Sequence, residues 1–374
     1  MRPRDSGEPN RAASSLELFF DLVFVVAVSI ASAQLHDELR EGRYDGILSY
    51  AMVFFAIWWA WMNFSWFATS FDTDDWLYRI VTIVQMSGVL VLAAGIAPAY
   101  ETGDFTLVVI AYVVMRVAMI TQWIRAAVAS PEYRKTGIRY AVGIGIVQVL
   151  WVGFLFVPAP VELPVFFVLV IGELLVPVIA ERPAATPWHP HHITERYSAF
   201  TLIVLGETVL ASANAVIGAL HEVESLAPLL SIAALTLIAA ASLWWIYFWP
   251  PHHRAIRTFR SSLSYGYMHY FVLGSAAAFS VGIGLEVDLL TGIASIPPLV
   301  ASFAVAIPIV VFLLGIWWVA IRKNADRVVN AVVLVAALLV LIDPLLPFAV
   351  GITTFVLVVV VIVLVARKPL PDRS

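Results

Sequence analysis

Long runs of apolar residues alternate along the chain with short joints that carry charge, proline or glycine. The runs cover 14–35, 46–71, 76–97, 105–128, 138–157, 161–181, 194–219, 227–249, 261–286, 297–321, 327–346 and 348–366. A helix needs about 20 predominantly apolar residues to cross the hydrocarbon of a bilayer. The pattern therefore predicts an all-α integral membrane protein of about twelve transmembrane helices. The last two runs are tightly joined through Asp343-Pro344-Leu345-Leu346-Pro347, which makes ten or eleven full spans the fallback count.

Composition agrees with this pattern. Of the 374 residues, 61% are hydrophobic and 13% charged, with a mean hydropathy of +0.91, whereas a soluble domain carries about 25% charged residues. One membrane domain embedded in a lipid bilayer is the simplest organisation. The chain has no cysteine, which removes disulfides, thiolate nucleophiles and Cys-ligated metals. No nucleic-acid partner is expected.

Basic residues set the expected orientation. With the N-terminus in the cytoplasm, nineteen of the 22 Lys and Arg fall in cytoplasmic segments, only Arg40 and Arg43 in outer ones, and Arg116 within a span. This asymmetry supports both termini inside and an even number of spans. The N-terminal arginines, the first apolar run and Ala31-Ser32-Ala33 imitate a secretory signal. Glu17 and Asp21 would interrupt its apolar region, so cleavage is not expected.

A shift of 186 residues aligns the two halves. Asp21 falls on Glu207, Trp58-Trp59 on Trp244-Trp245, Trp61 on Tyr247 and Gly88 on Gly274. The expected organisation is a cytoplasmic tail (1–13), a six-helix membrane repeat (14–181), a His-rich cytoplasmic linker (182–193), a second six-helix repeat (194–366) and a cytoplasmic tail (367–374). Six spans per half makes the repeats parallel.

Acids inside membrane spans are costly and tend to mark an ion or substrate pathway. Asp21 and Glu207 are the central pair, expected to line one cavity. At about 100° per residue, Glu17, Asp21, Ser29, Ser32 and His36 fall within an arc of about 120° on the first helix, and Glu207, Asn214, Gly218 and His221 within about 60° on the seventh. The alternative is that each acid is neutral or paired and only locks helices together. Glu173 is a third membrane acid, one turn before Pro177. Arg116, the one basic residue expected at depth, needs a counter-charge, and Glu173 or Asp21 is predicted to supply it. His269 lies among Tyr265, Tyr267 and Tyr270, either hydrogen-bonded locally or titrating during transport.

Outside the spans, Asp72, Asp74 and Asp75 precede Arg79. They are expected either to cap the third helix or to form a cytoplasmic gate by pairing with Arg79 or Arg125. His189, His191 and His192 lead into Glu195 and Arg196. This cluster is a candidate zinc site through His191 and Glu195, weighed against helix capping with Thr194 as the cap. Trp58 and Trp59 are expected to pack against the acid-bearing helix. Gly143, Gly145, Gly153, Gly282 and Gly284 would let helices approach closely.

Several stretches carry a family resemblance: ELFFDLVFVVAV (17–28), FDTDDWLYRIVTIVQMSGVLVLAAGI (71–96), TPWHPHHITERYSAFTLIVLGETVLA (186–211), LWWIYF (243–248) and SYGYMHYFVLGSAAAFSVGIGLE (264–286). With Arg125-Ala126-Ala127, Glu173 and Pro177 between them, the chain resembles the low temperature requirement protein A family of bacterial multi-pass membrane proteins, named for a growth phenotype in the cold. The likeness runs from about residue 16 to about residue 290 and weakens after it. Ser198-Ala199-Phe200 stands where relatives carry Gly-Leu-Phe. Phe19-Phe20-Asp21 is also similar in form to a motif of six-plus-six-helix potassium channels, without the arginine that opens it.

Three functions follow as expectations. The first is an ion-coupled transporter or channel for a proton, a cation or a small molecule, using carboxylates at the repeat interface. The second is a membrane metal-binding protein or enzyme built on the His cluster, and the third a non-transporting structural or regulatory protein. No nucleotide loop, Gly-x-Ser-x-Gly elbow or His-Glu-x-x-His is present, which counts against an enzyme.

Overall fold

The computed structural model describes residues 1–5, 12–221, 223, 225–346 and 349–371. Its long helices are α1 (Ser15–Arg40), α2 (Gly46–Ser70), α3 (Trp76–Ala94), α4 (Thr106–Ala129), α5 (Arg134–Phe154), α6 (Ala159–Ala180), α7 (Pro190–Gly218), α8 (Leu226–Phe248), α9 (Phe259–Thr291), α10 (Pro298–Ile316, continued by a π turn Trp317–Ile321 to Asn324), α11 (Arg327–Ile342) and α12 (Ala349–Ala366), with a short helical segment Ile96–Glu101 after α3. Among the described residues eleven are long and apolar enough to cross a bilayer, and the last, over Val350–Ala366, is shorter. The protein is a multi-pass helical membrane protein. Arg2–Pro3 adds a two-residue antiparallel bridge to Phe71–Asp72, so part of the expected N-terminal tail is paired.

Polar residues at the joints set where helices begin and end. Ser14 and Glu17 cap α1 reciprocally: the Ser14 amide donates to Glu17 Oε2 at 2.7 Å and the Glu17 amide to Ser14 Oγ at 3.3 Å. Asp75 accepts from the Tyr78 amide at 2.8 Å and Asp326 from the Val329 amide at 2.9 Å, each satisfying a donor that a helix start leaves open. Gly292, at φ +74°, ends α9 in the left-handed conformation that a side chain disfavours. α9 thereby runs five residues past the apolar stretch.

α7 begins at Pro190, four residues before the expected start, because proline is tolerated in the first turn where its missing N–H is not needed. Thr194 is inside the helix and donates to the His191 carbonyl at 3.0 Å. It is therefore not the cap.

The chain divides into two compact units. The first comprises Met1–Ala27 and Met52–Arg196, the second Val28–Ala51 and Tyr197–Ser374. α1, α2 and α7 each contribute one part to either unit. In the first unit, α3, α4, α5 and α6 pack as successive neighbours. Phe20 stacks on Phe64 with ring centroids 3.9 Å apart, and Trp123 on Tyr140 at 3.9 Å. Trp58, Trp59 and Trp61 are buried, while Trp244 and Trp245, their counterparts in the sequence alignment, are 41% and 42% exposed.

In the second unit α9 packs most extensively on α10, and α12 on α8 and α11. A Cβ at Gly282 would collide with the backbone of Ala304 and Val305, so that glycine sets the α9–α10 approach. Gly153, expected in a similar role, has nothing within 4 Å of where its Cβ would be.

Candidate functional site

The first unit holds two buried ionic centres. In one, α1 presents Glu17 and Asp21 and α7 presents His192 and Arg196, each pair four residues apart and therefore on one helix face. Arg196 Nη2 donates to Asp21 Oδ1 at 2.7 Å, and Trp61 Nε1 donates to the same oxygen at 2.7 Å. Arg196 Nη2 also reaches Ser65 Oγ at 3.3 Å. One turn nearer the helix starts, His192 Nε2 lies 3.3 Å from Glu17 Oε1. Asp21, Arg196 and His192 are fully buried. Arg116 is thus not the only basic residue at depth. Arg196, expected in a cytoplasmic segment, is a second, and it serves Asp21.

In the other centre, Arg116 Nη2 donates to Glu173 Oε2 at 2.6 Å, which is one of the two pairings expected for Arg116. Trp59 Nε1 donates to the same oxygen at 2.8 Å, and Gln148 Nε2 to Oε1 at 3.0 Å. Arg116 also faces the Tyr112 ring, 5.6 Å from its centroid. Both charges are fully buried. Buried ion pairs persist only when neighbours satisfy them, and four helices contribute to this one.

The turn before α3 is a set of local ion pairs. Arg79 holds Asp74 by two hydrogen bonds, 2.8 and 2.7 Å, and keeps its carboxyl below the usual carboxylate range. Arg125 Nη2 reaches Asp75 Oδ2 at 2.5 Å while Asp75 Oδ1 caps the helix. The capping and pairing expected of this turn thus coexist. The side chain of Asp72 lies outside the described residues, as do Arg11 and Arg373.

The histidines at the start of α7 take separate roles. The His189 amide donates to Thr69 Oγ1 at 3.3 Å, and His189 Nδ1 accepts from the His192 amide at 3.3 Å. His192 faces Glu17, His191 is exposed, and Glu195 accepts from the Ala13 amide at 3.2 Å. Among the described residues no group of three or more His, Asp or Glu is placed to hold a metal ion. The zinc reading of His189, His191 and His192 therefore lacks a ligand set. His192 turns into the ion-pair ladder, because a buried imidazole is best satisfied by the carboxylate facing it.

In the second unit, His269 and His252 share a closed network with Tyr247 and Tyr265. His269 Nδ1 lies 2.8 Å from the Tyr265 carbonyl and Nε2 lies 3.2 Å from the Tyr247 hydroxyl. His252 Nε2 lies 2.7 Å from the Tyr247 carbonyl and Nδ1 lies 3.0 Å from the Tyr265 hydroxyl. A carbonyl only accepts, so the ring nitrogen facing it carries the proton and the other nitrogen accepts from the tyrosine. Both rings are thus assigned as neutral, and His269 makes the local bonds that were one of its two expectations.

Burial pushes His252, in the joint between α8 and α9, down to about 4. An unfolded histidine titrates near 6.5, so between these values the unfolded chain binds the extra proton. Stability is then expected to fall as pH drops from about 6.5 towards 4. His252→Gln should flatten that acid limb of a thermal-unfolding series, and an unchanged limb would contradict the assignment.

The second unit also holds a cavity of about 260 Å³. Its polar lining comes from Ser29, Ser32 and His36 of α1, Glu207, Thr208 and Asn214 of α7, and Ser280 of α9. The Ser29 hydroxyl donates to Glu207 Oε1. His36 Nε2 lies 3.0 Å from Asp288 Oδ2, and its ring fills the space that a side chain at Gly284 would need, 2.7 Å from the site of a Cβ.

Ser29, Ser32 and His36 of the expected α1 seam and Glu207 and Asn214 of the expected α7 seam meet here, while Gly218 and His221 do not line the cavity. The two acids expected to share a chamber fall in different units: Asp21 is held by Arg196 in the first, and Glu207 lines this cavity in the second. Thr208 and Ser280 were missed. Their small hydroxyls carry no signal of their own in an apolar run, although Thr208 follows Glu207 directly. Two further acids of this unit, Glu286 and Asp343, are held by hydroxyls: Ser302 donates to Glu286 at 2.9 Å and Thr353 to Asp343 at 2.6 Å.

Comparison with known proteins matches residues 12–366 to the family described as bacterial low temperature requirement A protein. The chain belongs to this family. An uncharacterized protein of Rhizobium meliloti (strain 1021) is 29% identical over 259 residues, covering 65% of this chain. The chain spans about 60% of that relative's length. The low temperature requirement A match includes every centre described above, from Glu17 to Asp343, and a bacterial multi-pass protein of this family fits a cell membrane.

Proposed function

We propose that this low temperature requirement A protein is an ion-handling transporter or channel, with the Glu207 cavity as the site through which a proton or cation passes. The observation that carries the reading is a carboxylate within a membrane-spanning helix that faces a cavity of about 260 Å³ instead of a counter-charge among the described residues. A carboxylate at that depth is costly and needs a visiting charge or proton to offset it. Asp21 and Glu173 differ, since a guanidinium already answers each. They serve in this reading as the scaffold.

Both termini in the cytoplasm, supported by the bias of basic residues, complete the proposal. So does a parallel six-plus-six repeat, which rests on the 186-residue alignment. The side-chain partners do not follow that alignment, since Trp61 donates to Asp21 whereas Tyr247 meets His269.

The test is flux in proteoliposomes. Glu207→Gln removes the charge and keeps an oxygen for Ser29, so folding should survive while transport falls at least tenfold. Proton-, sodium- and potassium-dependent signals would be compared with protein-free vesicles. Wild-type rates in Glu207→Gln, or no flux by well-folded wild-type protein, would remove the reading.

A further inference from the structure

Three of the four hydroxyls that line the Glu207 cavity, those of Thr208, Ser280 and Ser29, have already committed their protons. Thr208 Oγ1 donates to the Val204 carbonyl at 3.0 Å and to the Ala276 carbonyl at 2.9 Å. Ser280 Oγ donates to the Ala277 carbonyl at 2.9 Å, and Ser29 donates to Glu207. A hydroxyl has one proton and two lone pairs. With the proton spent, each of the three offers further partners only oxygen lone pairs.

Glu207 Oε2 and the Asn214 side chain make no hydrogen bond among the described residues. No Lys or Arg lines the chamber. A carboxylate among hydroxyl oxygens, with no Lys or Arg beside it, repels an anion and attracts a positive charge.

We infer that the cavity is a binding site for a small monovalent cation, held by Glu207 with the hydroxyl oxygens of Ser29, Thr208 and Ser280. The inference rests on the transport reading and names its substrate class. Hard divalent cations are favoured by several carboxylates, and here one carboxylate lines the cavity, so a single positive charge is the better match. A proton alone would need the carboxylate and no surrounding oxygens. Asn214 is seven residues from Glu207, about 10 Å along the helix. It cannot complete the same coordination shell and acts as a second station on the way in or out.

The experiment is equilibrium binding of sodium-22 and rubidium-86 to the purified full chain in lipid nanodiscs, with chloride-36 as the anion arm. Saturable binding of one cation tracer is expected, displaced by sodium, potassium or ammonium and not by choline, with no chloride binding. Glu207→Gln should reduce it to background. Ser280→Ala should weaken it about tenfold, the equivalent of about 1.4 kcal/mol. Both variants would first be shown to match wild type in melting temperature and monodispersity.

No saturable binding of either cation by folded wild-type protein would overturn the inference, as would binding that survives Glu207→Gln or chloride binding in its place. The two readings fail separately. Glu207-dependent proton flux without cation binding overturns the cation site and leaves transport standing. Glu207-dependent cation binding without flux supports the site and removes transport.

Discussion

Glu173→Ala is expected to lower stability by about 3–5 kcal/mol, the range for removing one partner of a buried ion pair. The loss arises because Arg116 cannot shed its proton and has no second acid to turn to, only the Tyr112 ring at 5.6 Å. Trp59 and Gln148 would lose their acceptor as well. Arg116→Met should cost less, since a carboxyl can take up a proton when its cation is gone. Replacing both at once, Arg116→Met with Glu173→Leu, should recover most of the loss, because no charge is then left in low dielectric. Denaturant titration of the four proteins in mixed micelles measures these differences. A double variant no more stable than Glu173→Ala would show that the pair is not the unit holding these helices.

The second large effect concerns Asp21. Asp21→Ala strands Arg196, and a loss near 3 kcal/mol is expected, at the lower end of the same range. Glu17 is near enough to Arg196 to offset part of the charge, through the face it shares with Asp21. Asp21→Ala combined with Arg196→Met should be more stable than the sum of the single changes predicts. It should also transport at a rate within about threefold of wild type per folded molecule, whereas Glu207→Gln should not. A well-folded double variant without flux would return Asp21 to the pathway. Additive losses would argue against direct coupling between Asp21 and Arg196.

These contrasts mark what could be read in advance. Arg116 with Glu173 was legible because so few charges lie at depth that a buried cation has few partners to choose from. Arg196 with Asp21 is also written in the chain, in the spacing of two matched pairs. Glu17 and Asp21 repeat at four residues, His192 and Arg196 repeat at four residues, and each acid is separated from its base by 175 residues. Asp21 lies six residues into α1 and Arg196 six residues into α7, so the two are equally deep in their own helices, about 9 Å from each start.

The 186-residue alignment pointed elsewhere. Glu207 is seventeen residues into α7, about 25 Å from its start, so the two aligned acids differ in depth along their helices. Similarity between apolar stretches registers residue type and is blind to that depth. Arg196 stands two residues inside the expected run 194–219, at its expected cytoplasmic edge; the helix from Pro190 puts it six residues in.

The sequence by itself determined that this is a multi-pass helical membrane protein, where its apolar helices run, and that it resembles the family to which it belongs. Hydropathy is a property of each stretch alone, and lipid demands it of every span regardless of neighbours. Which carboxylate is neutralised and which faces an open chamber was decided by the tertiary structure. That choice depends on side chains 57, 175 and 178 residues apart meeting or failing to meet. A hydrogen-bonded charge pair needs its groups within about 3 Å, and only packed helices bring such distant residues that close.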